Sequence, residues 1–282
     1  MVLVTLLWSI AGVVTRQLET ARSFEVTFWR SFFTALSLVI GLGTWRGRSL
    51  ASSFRQAGGA LWVSGFCWGV MFTAFMVALT LTSVAYVLVT MALGPVVTAL
   101  SSRLFLKHRL SPATWMAIFV AASGVAVMFG GSASDGFTWP GVLMASCVPL
   151  AGAANWTVLQ RVSHESAADM LPAVLIGALL SCLFALPLAW PLQASVRDIG
   201  LLATLGAVQL AIPCLLVVIL SRYLMAAEIS LLALLEVVFG VAWAWLWAGE
   251  RPAANVLLGG CMVLLALAVK EASGMRMPGE TR

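Results

Sequence analysis

The sequence predicts an all-α polytopic membrane protein, with ten transmembrane helices arranged as two inverted five-helix repeats. Three observations lead to this fold class. Hydrophobic residues make up 61% of the 282 residues and charged residues only 10%, whereas soluble domains carry about 25% charged residues. Apolar windows alternate with short polar breaks along the whole chain, and one stretch occurs twice at half-length spacing. This composition excludes an ordinary soluble enzyme.

The apolar windows give the positions of the ten helices. Most are close to the roughly 20 residues that a membrane span needs, and the breaks between them carry charged residues, Gly, Ser or Pro. The first window is short for a span, so we expect a shallow or tilted helix, or a chain that begins upstream. The predicted helices are 1–15, 24–44, 58–80, 83–105, 112–130, 138–160, 170–190, 199–221, 227–248 and 253–270.

The repeated stretch runs from Leu93 to Pro112 in the first copy and from Leu235 to Pro252 in the second. In each copy an apolar helix ends in a charged turn, and a Pro begins the next apolar helix. Aligning Arg109 with Arg251 offsets the copies by 142 residues, about half of 282. A half-length repeat in a membrane chain is typical of transporters built from two related bundles, with a substrate site between them.

The repeat divides the chain into residues 1–135 (helices 1–5), residues 136–271 (helices 6–10) and a cytoplasmic tail at 272–282. Each repeat has an odd number of helices, so the second is inverted in the membrane. With a cytoplasmic N-terminus, eleven Lys and Arg residues lie inside, four lie outside, and Arg30 falls within helix 2. This bias predicts that both termini are cytoplasmic.

A family resemblance is carried by Trp8, by the helix-2 motif Phe28–Phe33, by Ala78–Ala85 and by the two repeated stretches. With these motifs the chain resembles the drug/metabolite transporter superfamily, EamA type, over nearly its whole length. It departs from that pattern at Ser9, where Gly is usual, and at Val237, where Pro is common.

The resemblance implies ten helices, cytoplasmic termini and a central cavity lined largely by helices 1, 3, 4, 6, 8 and 9. It also implies proton- or gradient-linked transport, or facilitated export, of small metabolites. The abundance of Trp suggests a similarity to the aromatic amino-acid exporter branch of the family, because aromatic rings suit aromatic or cationic substrates.

Glu236 is the sharpest candidate for the transport chemistry, because it is the only acidic residue predicted deep within a span. An ionised carboxylate there is costly unless it is paired or hydrated. Glu236 is therefore predicted to bind a coupling proton or a substrate ammonium group. The alternative is a structural carboxyl group hydrogen-bonded between helices.

Arg30 is the matching cation, about two turns inside helix 2. Its guanidinium could bind a substrate carboxylate through two hydrogen bonds. It could equally serve a structural role, by extending to the membrane interface or by capping a helix.

The predicted substrate cavity combines Glu236 with polar and aromatic residues placed inside spans. Asn155 and Gln209 can both donate and accept hydrogen bonds, so each could orient substrate or join helices. The full predicted set is Trp8, Thr73, Phe75, Tyr86, Thr90, Asn155, Trp156, Gln209 and Glu236. For the aromatic residues, ordinary packing is the alternative.

The predicted function is a secondary membrane transporter in the bacterial cytoplasmic (inner) membrane. It exports small metabolites such as amino acids, aromatic ones included, by alternating access through a central cavity. Alternatives are an importer, or a drug or quaternary-amine exporter, of the same fold; remote alternatives are a membrane-embedded enzyme and a membrane scaffold. We expect no enzymatic activity, cofactor, metal site or nucleic-acid partner. The expected partners are a small-molecule substrate, the lipid bilayer and protons, and the protein is expected to be a monomer or homodimer.

Overall fold

Every secondary-structure element in the described part of the chain is a helix. A computed structural model of the protein describes residues 1–15, 17–21, 23–46, 58–82, 84–107, 110–130, 138–165, 168–248 and 254–275. Arg109 and Arg251, on which the repeat copies were aligned, lie outside these ranges, as do residues 276–282 of the predicted tail. The last helix continues to Met275, so it includes the first four residues of the predicted tail.

The described helices follow one another as short and long segments. In chain order they are α1 (Val2–Ser9), α2 (Ala11–Thr15), α3 (Ser23–Arg46), α4 (Gly58–Leu81), α5 (Val84–Met91), α6 (Gly94–Phe105), α7 (Pro112–Gly130), α8 (Trp139–Glu165), α9 (Pro172–Ala189), α10 (Val196–Thr204), a π-helical segment (Leu205–Ala211), α11 (Ile212–Leu220), α12 (Ala226–Ala233), α13 (Leu235–Ala248) and α14 (Ala254–Met275).

Seven stretches within the described ranges are long and apolar enough to cross a membrane. They are Phe24–Trp45, Gly58–Leu81, Tyr86–Phe105, Trp139–Glu165, Pro172–Ala189, Val196–Leu220 and Ala226–Trp243. Three further apolar stretches are shorter: Val2–Thr15, Pro112–Met128 and Ala254–Val269. The protein is therefore a multi-span helical membrane protein.

Helix boundaries agree well with the apolar windows, but interruptions inside the windows were not predicted. The predicted helix 112–130 coincides with α7, and 58–80 with α4. The single helices predicted at 1–15, 83–105, 199–221 and 227–248 are each divided in the structure. Three of these divisions coincide with a change in the backbone hydrogen bonds, because the turns before α2, α6 and α13 contain hydrogen bonds to the third residue back instead of the fourth.

Glycines allow three pairs of helices to approach backbone to backbone. A Cβ atom on Gly259 would lie 2.2 Å from the Gly124 carbonyl oxygen, so α14 and α7 pack at this crossing. A Cβ on Gly177 would lie 2.9 Å from the Gly69 nitrogen, which joins α9 to α4. A Cβ on Gly206 would lie 2.6 Å from the Arg30 carbonyl oxygen. Small residues at such crossings are how membrane helices gain packing contact.

Two buried carboxylates join loops at one end of the bundle, and we call these contacts the loop latch. The Asp198 carboxylate accepts hydrogen bonds from the backbone N–H groups of Glu19, Thr20 and Ala21 at 3.1, 2.9 and 3.1 Å, and from the Thr20 hydroxyl at 2.7 Å. Glu25 Oε1 accepts from the backbone N–H groups at positions 193 and 194, at 2.8 and 2.7 Å. The loop latch therefore fixes residues 17–21 and 193–198 against each other.

Replacing Asp198 with Asn should lower the melting temperature of the purified protein by a few degrees. The amide loses the negative charge that strengthens four hydrogen bonds to one fully buried group, and hydrogen bonds to charged groups are stronger than neutral ones. The measurement is thermal unfolding in detergent. Asp169→Asn is the matched control, and an equal effect of the two substitutions would contradict the importance of the latch.

Candidate substrate cavity

One cavity of about 160 Å³ lies among helices of both predicted repeats. Its lining residues come from α1, α3, α4, α5, α6 and α8, from the π-helical segment, and from α11, α12 and α13. Apart from Arg30 on α3, these helices correspond to predicted helices 1, 3, 4, 6, 8 and 9, the set that the family resemblance implies. The cavity is below the roughly 300–1,000 Å³ of pockets for drug-sized ligands, so this conformation suits a small molecule.

Six of the residues singled out in the sequence line this cavity. Five belong to the predicted cavity set, and the sixth is the candidate cation, Arg30. The six are Trp8, Arg30, Phe75, Trp156, Gln209 and Glu236. The structure therefore brings together both charged candidates and three of the predicted aromatic residues.

Opposite charges face the same space. Arg30 is only 3% exposed, so its guanidinium does not extend to a membrane interface. Its Nη2 donates to the Phe72 carbonyl oxygen at 3.2 Å, while its Nε has no partner. Glu236 is half-buried at the start of α13 and lines the same cavity as Arg30. Within the ranges that the structure describes, no group donates a hydrogen bond to the Glu236 carboxylate.

Gln209 lies in the π-helical segment and has one half of its amide unsatisfied. Its Nε2 donates to the Trp8 carbonyl oxygen at 3.2 Å, while its buried Oε1 has no partner. A π-helical turn is rare and often occurs at functional sites. Because buried acceptors are normally paired, this oxygen is a candidate contact for a donor group of the substrate.

Aromatic rings form one wall of the cavity. Trp68 contacts Trp156 edge to face, with ring centroids 5.3 Å apart, and also packs on Phe72 at 5.5 Å. Trp68 is 2% exposed and its indole N–H has no partner. The wall therefore offers apolar faces together with a free hydrogen-bond donor.

Four predicted cavity residues lie outside the lining, and the side chains of three of them form hydrogen bonds elsewhere. Asn155 accepts from the Ser64 hydroxyl at 2.6 Å and joins α8 to α4. Thr73 donates to the Ser181 hydroxyl at 2.9 Å, joining α4 to α9. Thr90 donates to the carbonyl oxygen of Tyr86 at 2.7 Å within its own helix. Tyr86, the fourth, is half-buried and does not line the cavity.

Three polar residues of the lining, Trp68, Thr98 and Ser230, were not in the predicted set. Thr98 is fully buried and its hydroxyl has no partner. Its position within the repeated stretch from Leu93 was a signal that could have identified it. For Trp68 the available signal was its depth inside helix 3, which does not distinguish a cavity wall from ordinary packing.

The comparison with protein families decides what kind of protein this is. A family model described as "EamA-like transporter family" matches residues 1–130 and 139–269. The chain belongs to this family. It is therefore a membrane transporter and not an enzyme, and its cavity lies among helices of both matched segments.

The relatives of this EamA-like transporter include two curated exporters from Pseudomonas aeruginosa. "Pseudopaline exporter CntI" of strain UCBPP-PA14 is 25% identical over 273 residues, which cover 94% of this chain and 92% of the relative. The protein of the same name from strain PAO1 is also 25% identical over 273 residues. A solved crystal structure matches 97% of this chain and 96% of its own, with a TM-score of 0.80 and 20% identity. That likeness concerns the fold alone.

Proposed function

We propose that this EamA-like transporter is a secondary transporter that exports small zwitterionic metabolites such as amino acids, aromatic ones included, by alternating access. The observation that carries the proposal is the pair of opposite charges, Arg30 and Glu236, in one cavity with aromatic walls. A buried charge is costly unless it is paired. A zwitterion supplies a partner of opposite sign to each of them.

The unpartnered atoms of the cavity indicate how such a substrate binds. The Arg30 Nε and the Trp68 indole N–H are free donors, and both residues border the turn of α4 that contains Phe72. They suit a substrate carboxylate. Glu236 and the free Gln209 Oε1 are acceptors that suit an ammonium group, and Trp68 and Trp156 suit an apolar or aromatic side chain.

Proton coupling at Glu236 is part of the proposal. A carboxyl group that faces the cavity without a hydrogen-bond donor can bind either a proton or an ammonium group. Export as the direction is supported by the two relatives named as pseudopaline exporters. A quaternary amine would satisfy Glu236 but would leave the Arg30 charge without a partner, so we rank drug or quaternary-amine export second. Import by the same fold stays an alternative.

Ten spans in two inverted repeats remain part of the proposal. The seven long and three shorter apolar stretches together give the expected number within the described ranges. The helix contacts also support this arrangement. When each helix is replaced by its counterpart in the other repeat, the contact α6–α8 becomes α13–α1, and the contact α4–α9 becomes that of the π-helical segment with α3; both members of each pair of contacts are present. Two structurally related halves are expected to have such matching contacts. The repeat boundaries at 135 and 271, the cytoplasmic termini and the inner-membrane location stay predictions, as does a monomeric or homodimeric state.

Counterflow in proteoliposomes tests the proposed function. Vesicles containing the full chain are loaded with unlabelled phenylalanine and diluted into labelled phenylalanine. Only a carrier gives uptake that depends on the internal load. A parallel thermal-shift screen compares aromatic amino acids with quaternary amines, nucleosides and sugars, since a bound ligand stabilises the folded state. Stabilisation only by nucleosides or sugars would overturn the amino-acid proposal.

Replacing Arg30 with Lys should raise the KM for phenylalanine counterflow by about tenfold with the maximum rate less affected. Lysine keeps the charge but lacks the planar fork that binds a carboxylate through two hydrogen bonds, and a loss of about 1.4 kcal/mol corresponds to tenfold in affinity. Arg197→Lys is the control, because that side chain is exposed and pairs with Glu19. An unchanged KM in Arg30→Lys would assign Arg30 a purely structural role.

A further inference from the structure

We infer that the cavity opens where α6 separates from α8 and α12, and that Thr98 and Ser102 line the route the substrate then takes. The inference rests on the proposed transport function and identifies residues that determine access to the cavity. It begins from two buried hydroxyl groups on α6 whose hydrogen-bonding capacity is unused.

Thr98 and Ser102 are 0% and 2% exposed, and neither hydroxyl oxygen has a hydrogen-bond partner. They are four residues apart on α6, so they occupy the same face one turn from each other. Thr98 borders the cavity, and Ser102 lies one turn further toward the C-terminal end of α6. Together they extend a polar track outward from the cavity, along the helix that packs against α8 and α12.

A buried hydroxyl without a partner is unusual among the residues that the structure describes. Helical Ser and Thr normally donate to a carbonyl oxygen three or four residues earlier. Thr34, Thr90 and Thr157 do so here, at 2.7 Å each. Burying an unsatisfied polar group destabilises the packed arrangement, whereas water would satisfy both hydroxyls once α6 moved away. We call the closed contact of α6 with α8 and α12 the α6 seam. Hydration of the two hydroxyls therefore favours the opening of this seam.

The corresponding seam at the end of the loop latch is built differently. There the Trp243 indole N–H donates to the Ser9 hydroxyl at 2.9 Å and joins α13 to α1. The same end is also fixed by the four hydrogen bonds to Asp198. Opening at that end must break paired groups, so the two ends differ in the free energy required to open them.

The moving element at the α6 end is α6 itself. The backbone N–H of Ala226 donates to Gln160 Oε1 at 2.9 Å, which holds the start of α12 to α8. We therefore infer that α8 and α12 stay together as one rigid body and that α6 moves away from them. Arg103 and Lys107 follow Ser102 at this end, and basic residues mark the cytoplasmic side. The route consequently serves the entry of a substrate that is exported.

Replacing Ser102 with Ala tests the role of the unpaired hydroxyl without altering a residue of the cavity lining. We expect phenylalanine counterflow to fall about tenfold in maximum rate with KM unchanged, and the melting temperature to rise, because removing an unsatisfied polar group favours the closed seam. Thr157→Val is the control: its hydroxyl is paired, so its loss should lower the melting temperature and leave the rate unchanged. A Ser102→Ala variant with unchanged rate, or with a lowered melting temperature, would overturn the inference.

Thiol labelling gives an independent measure of opening. The five native cysteines, all free, are replaced, and Ser102→Cys is introduced into that variant in vesicles of known orientation. A membrane-impermeant thiol reagent should label position 102 only from the side that carries Arg103 and Lys107. No labelling from either side in a variant that still shows counterflow would overturn the opening route. Labelling without any counterflow in the wild type would instead reject the proposed function.

Discussion

Replacing Glu236 with Gln is expected to reduce phenylalanine transport about tenfold or more and to remove its dependence on pH. The amide keeps the size of the side chain but can neither bind a proton in this pH range nor attract an ammonium group as a carboxylate does. Hydrogen bonds to charged groups contribute about 1.5–3 kcal/mol, and every 1.4 kcal/mol corresponds to tenfold in affinity. The measurement is counterflow and proton-driven flux in reconstituted vesicles at several pH values.

Glu228→Gln is the matched control for this experiment. Glu228 lies on the preceding helix, α12, and its carboxylate accepts the backbone N–H of Met225 at 3.1 Å, outside the cavity. We expect this variant to transport phenylalanine at nearly the wild-type rate and to insert into membranes in equal amount. Proton-dependent flux that persists unchanged in Glu236→Gln would reject the coupling role of Glu236.

Replacing Gly259 with Ala is expected to lower the free energy of unfolding by about 3 kcal/mol, at the upper end of the range for overpacked interiors. The added Cβ would lie 2.2 Å from the Gly124 carbonyl oxygen and 2.8 Å from the Met128 nitrogen. These are backbone atoms, so no side chain can turn aside to make room, and α14 must move away from α7. Thermal unfolding in detergent measures the effect.

The neighbouring glycine provides the control. A Cβ on Gly260 would meet nothing within 4 Å, so Gly260→Ala should leave stability unchanged or raise it slightly, because Ala favours the helix over Gly. Equal unfolding temperatures for Gly259→Ala and Gly260→Ala would show that the α7–α14 crossing is not as close as the structure places it.

Sequence patterns located the helices because burial in lipid imposes long apolar windows, and α7 accordingly begins and ends where 112–130 was predicted. The same patterns could not place the interruptions before α6 and α13. An apolar window has the same composition whether its backbone hydrogen bonds reach three or four residues back. Those local changes depend on neighbouring helices, which composition does not record.

The candidate site was predictable where a residue type is rare in a membrane interior. Arg30 and Glu236 stood out because charges are costly there, and both line the cavity. Asn155 and Gln209 were equivalent in the sequence, both being amides inside spans. Each amide has one partner and one unpartnered buried atom, so their position in the fold distinguishes them: Asn155 contacts Ser64 between two helices, while Gln209 lines the cavity.

The π-helical segment has a consequence for how this chain tolerates length changes. Leu205–Ala211 accommodates more residues per turn than an α-helix would. Deleting a single residue there should restore ordinary α-helical geometry and leave the flanking turns close to their present orientation, because the wide turn already holds the extra residue. Gln209 would then lose the widened turn that now holds it beside the cavity, whereas Cys214 on the following helix would keep facing it. A one-residue deletion in this segment should consequently impair transport while leaving membrane insertion intact.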